Sequence, residues 1–290
     1  MISHRFAYHA PDTLAAALEV LDGEAETAVL AGGTWLVPNM THGLRQPPAV
    51  LDIKRLGLRA VREEGGDLVI GAAATYQDVL RSAAVAAHAP LLGAMAGEIT
   101  GGAQITGQAT LGGSACYANP ASDVPACLCA LGARLRLASQ NGCREVDAAG
   151  FFLGAFRTAC RRNEMLTAIV IPGAVPGVVP GTAPWRSSAY RKLKTSYGSW
   201  PIVTASCLSR EAGPRTVRHR IAVGAANVVP VVFEADTDAN APEEALAALG
   251  ARAASLIADE CADELAGPGY RRRVTPAMVA KAVRGSLDAW

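Results

Sequence analysis

The sequence has few aromatic residues, few histidines, no long apolar run and almost no excess of charge. Trp, Tyr and Phe make up 5% of its 290 residues. Its five histidines, His4, His9, His42, His88 and His219, are scattered without the spacing of a metal site. Lys and Arg number 27 against 26 Asp and Glu, so no basic surface is available for nucleic acid or anionic lipid. Every Ala-rich stretch is broken by charge, Gly or Pro before it reaches the length of a bilayer span. Met1-Ile2-Ser3-His4-Arg5-Phe6 leads into a helical pattern with no apolar signal core. These absences predict a cytoplasmic protein with no membrane span and no nucleic-acid partner.

Familiar chemical motifs are missing as well. The seven cysteines are odd in number and contain no C-x-x-C pair, which argues against a disulfide framework, an iron-sulfur cluster or a structural zinc. They are expected to be buried and reduced. Gly102 to Gly107 has the spacing of a P-loop but continues Gln108-Ala109 instead of Lys-Ser/Thr, and no strand-linked G-x-G-x-x-G occurs. Gly112-Gly113-Ser114-Ala115-Cys116 misses the nucleophile elbow at its last position.

What remains is half hydrophobic and long enough for more than one core. Leu14, Ala17, Leu18 and Leu21 mark a helix face, and Thr27 to Ala31 a short strand that stops at Gly32. Strands follow at 50–53 and 68–72, and Thr75-Tyr76-Gln77-Asp78 reads as a capping box. Pro90 to Gly97 and Pro125 to Leu131 read as helices. Residues 134–137 and 144–146 flank an Asn141-Gly142 hairpin turn, and 165–171 form another strand. The Gly-rich run from Thr100 to Ser114 predicts a tightly folded loop, and the Pro- and Gly-rich run from Pro172 to Pro184 a domain boundary or an exposed excursion. Beyond it, antiparallel strands at 202–208, 217–223 and 228–233 and helices at 242–265 and 276–287 predict a small α+β domain.

Two Gly-rich segments carry the chemistry. Ala31-Gly32-Gly33-Thr34 and Ala109-Thr110-Leu111-Gly112-Gly113-Ser114 each set a Gly pair beside a hydroxyl. Backbone N-H groups can approach a pyrophosphate only where no side chain obstructs them. Two such loops are expected to clamp one pyrophosphate from opposite sides.

Taken together these residues resemble the flavin subunit of the molybdenum hydroxylases, the xanthine dehydrogenase and carbon monoxide dehydrogenase family. Its first loop, A-G-G-T-x-L-x-P, is matched by Ala31 to Pro38, and its second, T-I-G-G-N followed by S-P-x-x-D, by Thr110 to Ser114 and Asn119 to Asp123. Departures fall at Ser114, Tyr117 and Asn119. Tyr190-Arg191-Lys192, Trp200-Pro201 and Tyr270-Arg271-Arg272 extend the match along the chain.

The resemblance implies an α+β chain with a two-subdomain FAD-binding fold of PCMH/VAO type at 1–56 and 57–175 and a C-terminal flavoprotein domain at 176–290. It implies that Val29, Leu30, Ala31, Gly32, Gly33, Thr34, Trp35 and Leu36, with Ala109, Thr110, Leu111, Gly113, Ser114, Tyr117 and Asp123, line the adenine-diphosphate half of FAD. Met165, Leu166 and Lys192 would lie near the isoalloxazine, where a cationic Lys favours the reduced, negatively charged ring. The other reading of Lys192 is a surface lysine at a strand edge. Arg271, Arg272 and Arg273 read as a partner-binding cluster or a solvated charge run, with no site role.

The implied partners are a molybdopterin-binding large subunit and a two-cluster iron-sulfur small subunit, assembled as a dimer of heterotrimers. The implied work is electron transfer from their clusters through FAD to an external acceptor. Two alternatives share these residues: a stand-alone flavin oxidoreductase with its own organic substrate, and a non-catalytic scaffold that has lost its flavin.

Overall fold

The computed structural model describes residues 1–24, 26–173 and 185–290. The expected boundary run therefore lies outside the described residues from Ala174 to Pro184. The chain opens with β1 (Ala7–His9), α1 (Leu14–Gly23), β2 (Thr27–Leu30), α2 (Leu36–Thr41) and β3 (Ala49–Asp52). The three strands form a parallel sheet in the order β1-β3-β2, with Tyr8 and Ala28 both paired to Val50. Thr13 caps α1 by accepting from the Ala16 N-H, and Ala17, Leu18 and Leu21 face inward as their spacing requires.

A second group follows: β4 (Val61–Glu64), β5 (Asp67–Gly71), α3 (Tyr76–Arg81), α4 (Ala83–His88), α5 (Pro90–Gly97), α6 (Gly102–Thr106), α7 (Leu111–Tyr117), α8 (Val124–Ala130), β6 (Arg134–Ser139), β7 (Gly142–Asp147), α9 (Ala148–Phe151), β8 (Phe152–Gly154), β9 (Arg157–Thr158) and β10 (Met165–Ile171). Its antiparallel sheet runs β4-β5-β10-β6-β7. Central β10 is buried at every position because both of its faces are covered. The capping box at α3 is complete: Thr75 accepts from the Asp78 N-H while Asp78 accepts from the Thr75 N-H.

The last group is a four-stranded antiparallel meander, β11 (Ser187–Leu193), β12 (Val203–Gly213), β13 (Thr216–Gly224) and β14 (Val231–Asp238), followed by α10 (Glu243–Ser255) and α11 (Pro268–Asp288). One face packs Val203, Ala205 and Ile221 with Leu246, Val279 and Val283 of the two helices. The other sends Tyr190, Leu208 and Ala222 into the core around α5 and α8. The sheet thus serves both halves of the chain.

The run from Thr100 to Ser114 is not one loop: it holds α6 and the first turn of α7, because Thr110 caps the helix and Leu111 is fully buried. The first C-terminal helix stops at Ser255, where the chain leaves to bond Asp259 and Cys261 to residues 226–227. The second begins at Pro268 and carries Pro276 inside it; a Cβ on Gly250 would lie 2.4 Å from the Pro276 carbonyl, so Gly250 makes room for that turn. Three of the seven cysteines are not buried: Cys116 and Cys143 are exposed and Cys160 is intermediate. Among the described residues no helix is long and apolar enough to cross a membrane, and no group of three or more His, Cys, Asp or Glu could hold a metal ion.

Arg271 overturns the solvated-run reading. It is 0% exposed and donates to the carbonyls of Ile202, Ala225 and Ala266 and to the Asp263 carboxylate. Its guanidinium satisfies backbone acceptors that converge from three segments. Arg271→Met is expected to cost about 3 kcal/mol, because those acceptors and the carboxylate lose their partner together. A urea midpoint equal to wild type would contradict this.

His219 is equally buried, with Nδ1 2.7 Å from Ser209 Oγ and Nε2 2.8 Å from Thr237 Oγ1. Burial pushes its pKa down to about 4. The unfolded chain therefore binds a proton near pH 6.5 that the folded chain refuses until about 4, so this part of the stability is present above the upper value and lost as pH falls through the window. Thermal melts of His219→Asn between those values should show a flatter pH dependence than wild type; identical slopes would count against it.

Candidate functional site

The first loop leaves β2 and enters α2. Gly33 sits in the left-handed region at φ +73°, which an L side chain resists, and this turn swings the chain from strand to helix. The Val37 N-H donates back to the Gly33 carbonyl. Among the described residues no acceptor faces the N-H groups of Gly33, Thr34, Trp35 or Leu36. Four successive donors are therefore free at one place.

The second segment is arranged differently. The N-H of Leu111 donates to the Ala74 carbonyl, that of Gly112 to Ala72, that of Gly113 to Thr110 Oγ1 and that of Ser114 to the Thr110 carbonyl. These donors are spent on the protein, so the expected symmetric clamp of backbone N-H groups is corrected. The two glycines serve close approach instead. A Cβ on Gly112 would fall 2.5 Å from the Ala72 carbonyl oxygen, whereas exposed Gly113 leaves the first turn of α7 bare, where a Cβ would stand 2.7 Å from Oγ1 of the capping Thr110 and 4.0 Å from the Ala31 methyl.

The two segments touch backbone to backbone. A Cβ on Gly32 would lie 2.0 Å from the Gln108 carbonyl oxygen. Trp35 and Tyr117 meet at the far end of the same contact, with ring centroids 4.4 Å apart. The three departures from the resembled pattern all have partners within the chain. Ser114 Oγ accepts from the Tyr76 hydroxyl at 2.6 Å, Asn119 Oδ1 accepts from the Ala121 N-H at 3.0 Å, and Tyr117 stacks on Trp35.

A buried ionic cluster joins this region to the third sheet. Asp123, which precedes α8, accepts from the Tyr190 hydroxyl and, at 3.0 Å, from Lys192 Nζ; that ammonium also donates to the Glu98 carbonyl at 2.9 Å. The Lys192 side chain is 1% exposed, so it is no surface lysine. Burial pushes the Asp123 carboxyl above its usual range, against the opposing pull of Lys192 and Tyr190. Burial also pushes the Tyr190 phenol up, and the neighbouring carboxylate adds to the effect. One buried carboxylate is thus the charged partner of this cation.

The remaining candidates are structural neighbours of the site. Val29 is partly exposed, while Leu30 and Leu36 pack with Met40 and Val50. Ala109, Thr110 and Leu111 are buried. Met165 packs with Leu18, Leu51 and Ala138 on one face of β10, and Leu166 lies in the main core on the other, so neither presents a free side chain. Tyr76, Glu98, Gln108 and Tyr190 do not stand among the expected site residues. Only Tyr190 carried a signal, as the first residue of the Tyr-Arg-Lys match.

Residues 4–174 match the family described as the FAD binding domain in molybdopterin dehydrogenase. The chain belongs to that family. It is 36% identical over 235 residues to the carbon monoxide dehydrogenase medium chain of Hydrogenophaga pseudoflava, covering 80% of this chain and 78% of that one. It is 29% identical over 260 residues to the nicotine 6-hydroxylase medium subunit of Paenarthrobacter nicotinovorans, covering 87% and 88%. A solved Cu,Mo-CO dehydrogenase in its cyanide-inactivated form superposes with a TM-score of 0.88 at 29% identity, over all of both chains. This member of the FAD-binding family therefore has the α+β fold of the medium chains along its whole length.

Gly32 carries the contact on which the site depends. Gly32→Ala is expected to cost about 2 kcal/mol, since backbone must move to relieve the overlap. Gly23→Ala, at a position where a Cβ meets nothing within 4 Å, should not destabilise. Chemical denaturation of both variants checks this, and equal midpoints would refute the close-approach role.

Proposed function

We propose that this chain is the FAD-binding medium subunit of a heteromeric molybdenum hydroxylase, passing electrons from partner iron-sulfur clusters to an external acceptor. The observation that carries the reading is the row of four free N-H donors at Gly33 to Leu36, set against the bare turn of α7 at Gly113. Such a row meets the anionic oxygens of a pyrophosphate without side-chain obstruction. Residues 1–56 and 57–175 would hold the dinucleotide between them and 176–290 would cover the flavin, since the buried Asp123-Lys192 pair ties the third sheet to α8.

FAD supplies the exchange between one-electron and two-electron chemistry when bound. The protein's part is binding, orientation and electrostatics. Val29 to Leu36, with Gly113, Ser114 and Tyr117, form the dinucleotide surface, and buried Ala109, Thr110, Leu111 and Asp123 support it from beneath. Lys192 gives the flavin side a cation whose charge is moderated, not removed, by Asp123. Met165 and Leu166 support that side from within β10. The partners are a molybdopterin-binding large subunit and a two-cluster iron-sulfur small subunit, as a dimer of heterotrimers. The substrate is selected in the subunit that holds molybdenum. Seven free cysteines suit a reducing cytoplasm.

The native protein should purify yellow, with close to one FAD per chain and with molybdenum and iron in two accompanying subunits. A colourless chain, or an active flavoprotein with no partners, would contradict the assignment. Lys192→Met should lower the two-electron potential of the bound flavin by about 30 mV or more, the equivalent of a tenfold change in equilibrium. An unchanged potential in spectroelectrochemical titration would remove Lys192 from the flavin side.

A further inference from the structure

In a chain with so few aromatic residues, three of them stack at one end of the loop contact. Trp35 stands between the first loop and α2, Tyr117 ends α7, and Phe156 lies between β8 and β9. The Trp35 and Tyr117 centroids are 4.4 Å apart and inclined at 40°, and those of Tyr117 and Phe156 are 5.1 Å apart at 48°. Both pairs lie within the range of attractive ring contact. The Arg45 guanidinium carbon stands 6.0 Å from the centre of the Trp35 ring.

The backbone beneath this stack is strained. Phe156 has φ +55° and Ala118 has φ +45°, left-handed conformations that a Cβ disfavours, and the Phe156 N-H donates to the Ala118 carbonyl at 2.9 Å. Yet Phe156 stays 56% exposed, so burial does not explain why a large apolar ring is held there. Strain of this kind concentrates at ligand clamps and switch segments.

We propose that Trp35, Tyr117 and Phe156 form an aromatic clasp that closes one end of the dinucleotide site and sets how slowly FAD leaves. The inference rests on the FAD reading above. Trp35 is covalently next to the free donors of the first loop, and Tyr117 is four residues, about 6 Å of helix rise, beyond bare Gly113. The clasp therefore ties together the two walls between which the dinucleotide lies. Parting those walls breaks the Trp35-Tyr117 contact, and Phe156 props Tyr117 from behind against that movement.

The test uses the full chain loaded with FAD. Release is followed as the rise of flavin fluorescence after dilution, in wild type, Tyr117→Ser, Tyr117→Phe and Phe156→Ala, with thermal midpoints recorded beside it. Tyr117→Ser and Phe156→Ala should release FAD about tenfold faster, the scale of one or two lost ring contacts. Tyr117→Phe keeps the ring and should release at close to the wild-type rate. Should Tyr117→Ser fail to fold, Phe156→Ala reads the same stack from a half-exposed position. Wild-type release rates in the truncated variants would overturn the clasp. A wild-type chain that takes up no FAD would overturn the reading beneath it, and the clasp with it.

Discussion

The contact between Gly32 and the Gln108 carbonyl is the constraint from which the site follows. Backbone meets backbone there at a distance that leaves no room for even a methyl group. One loop comes from a parallel sheet and the other from the approach to α7, so the contact fixes how two separately built layers face each other. Gly112 repeats the device against Ala72, seating α7 on the second sheet. With both seats fixed, the loop that carries the free donors of Gly33 to Leu36 is held beside the segment that carries Gly113. Glycine is needed at these points for approach, and only at Gly33 for backbone conformation.

A second constraint, electrostatic in kind, brings in the rest of the chain. Asp123, Tyr190 and Lys192 are buried together, and neither charge could stay buried alone. Because Asp123 belongs to the approach to α8 and the other two to β11, the pairing couples the third sheet to the layer that carries the second loop. Arg271 plays a comparable part inside the third unit, gathering carbonyls from Ile202, Ala225 and Ala266 around one guanidinium. Both clusters turn costly buried polarity into fixed geometry, because nearly every partner is satisfied.

Local periodicity was legible in the sequence, and so was the position of both loops. The strand at Met165–Ile171 and the capping box at Thr75 come directly from residue pattern. The use of the second Gly pair was not legible, since Gly-Gly beside a hydroxyl reads the same whether its N-H groups are free or spent on Ala72 and Thr110. Three consecutive arginines read as partner-facing or solvated because nothing local reveals that carbonyls distant in the chain will converge on the first of them. The limits of the last two helices were missed for a similar reason. The turn at Pro276 packs where Gly250, on another helix, yields space.

Amide hydrogen exchange with and without FAD tests the central claim most directly. Addition of FAD should slow exchange at Gly33, Thr34, Trp35 and Leu36, whose N-H groups lack acceptors within the described residues, while Gly112 and Gly113, already bonded to Ala72 and Thr110, should change little. Protection that spares the first loop, or that falls mainly on Gly112 and Gly113, would contradict the account.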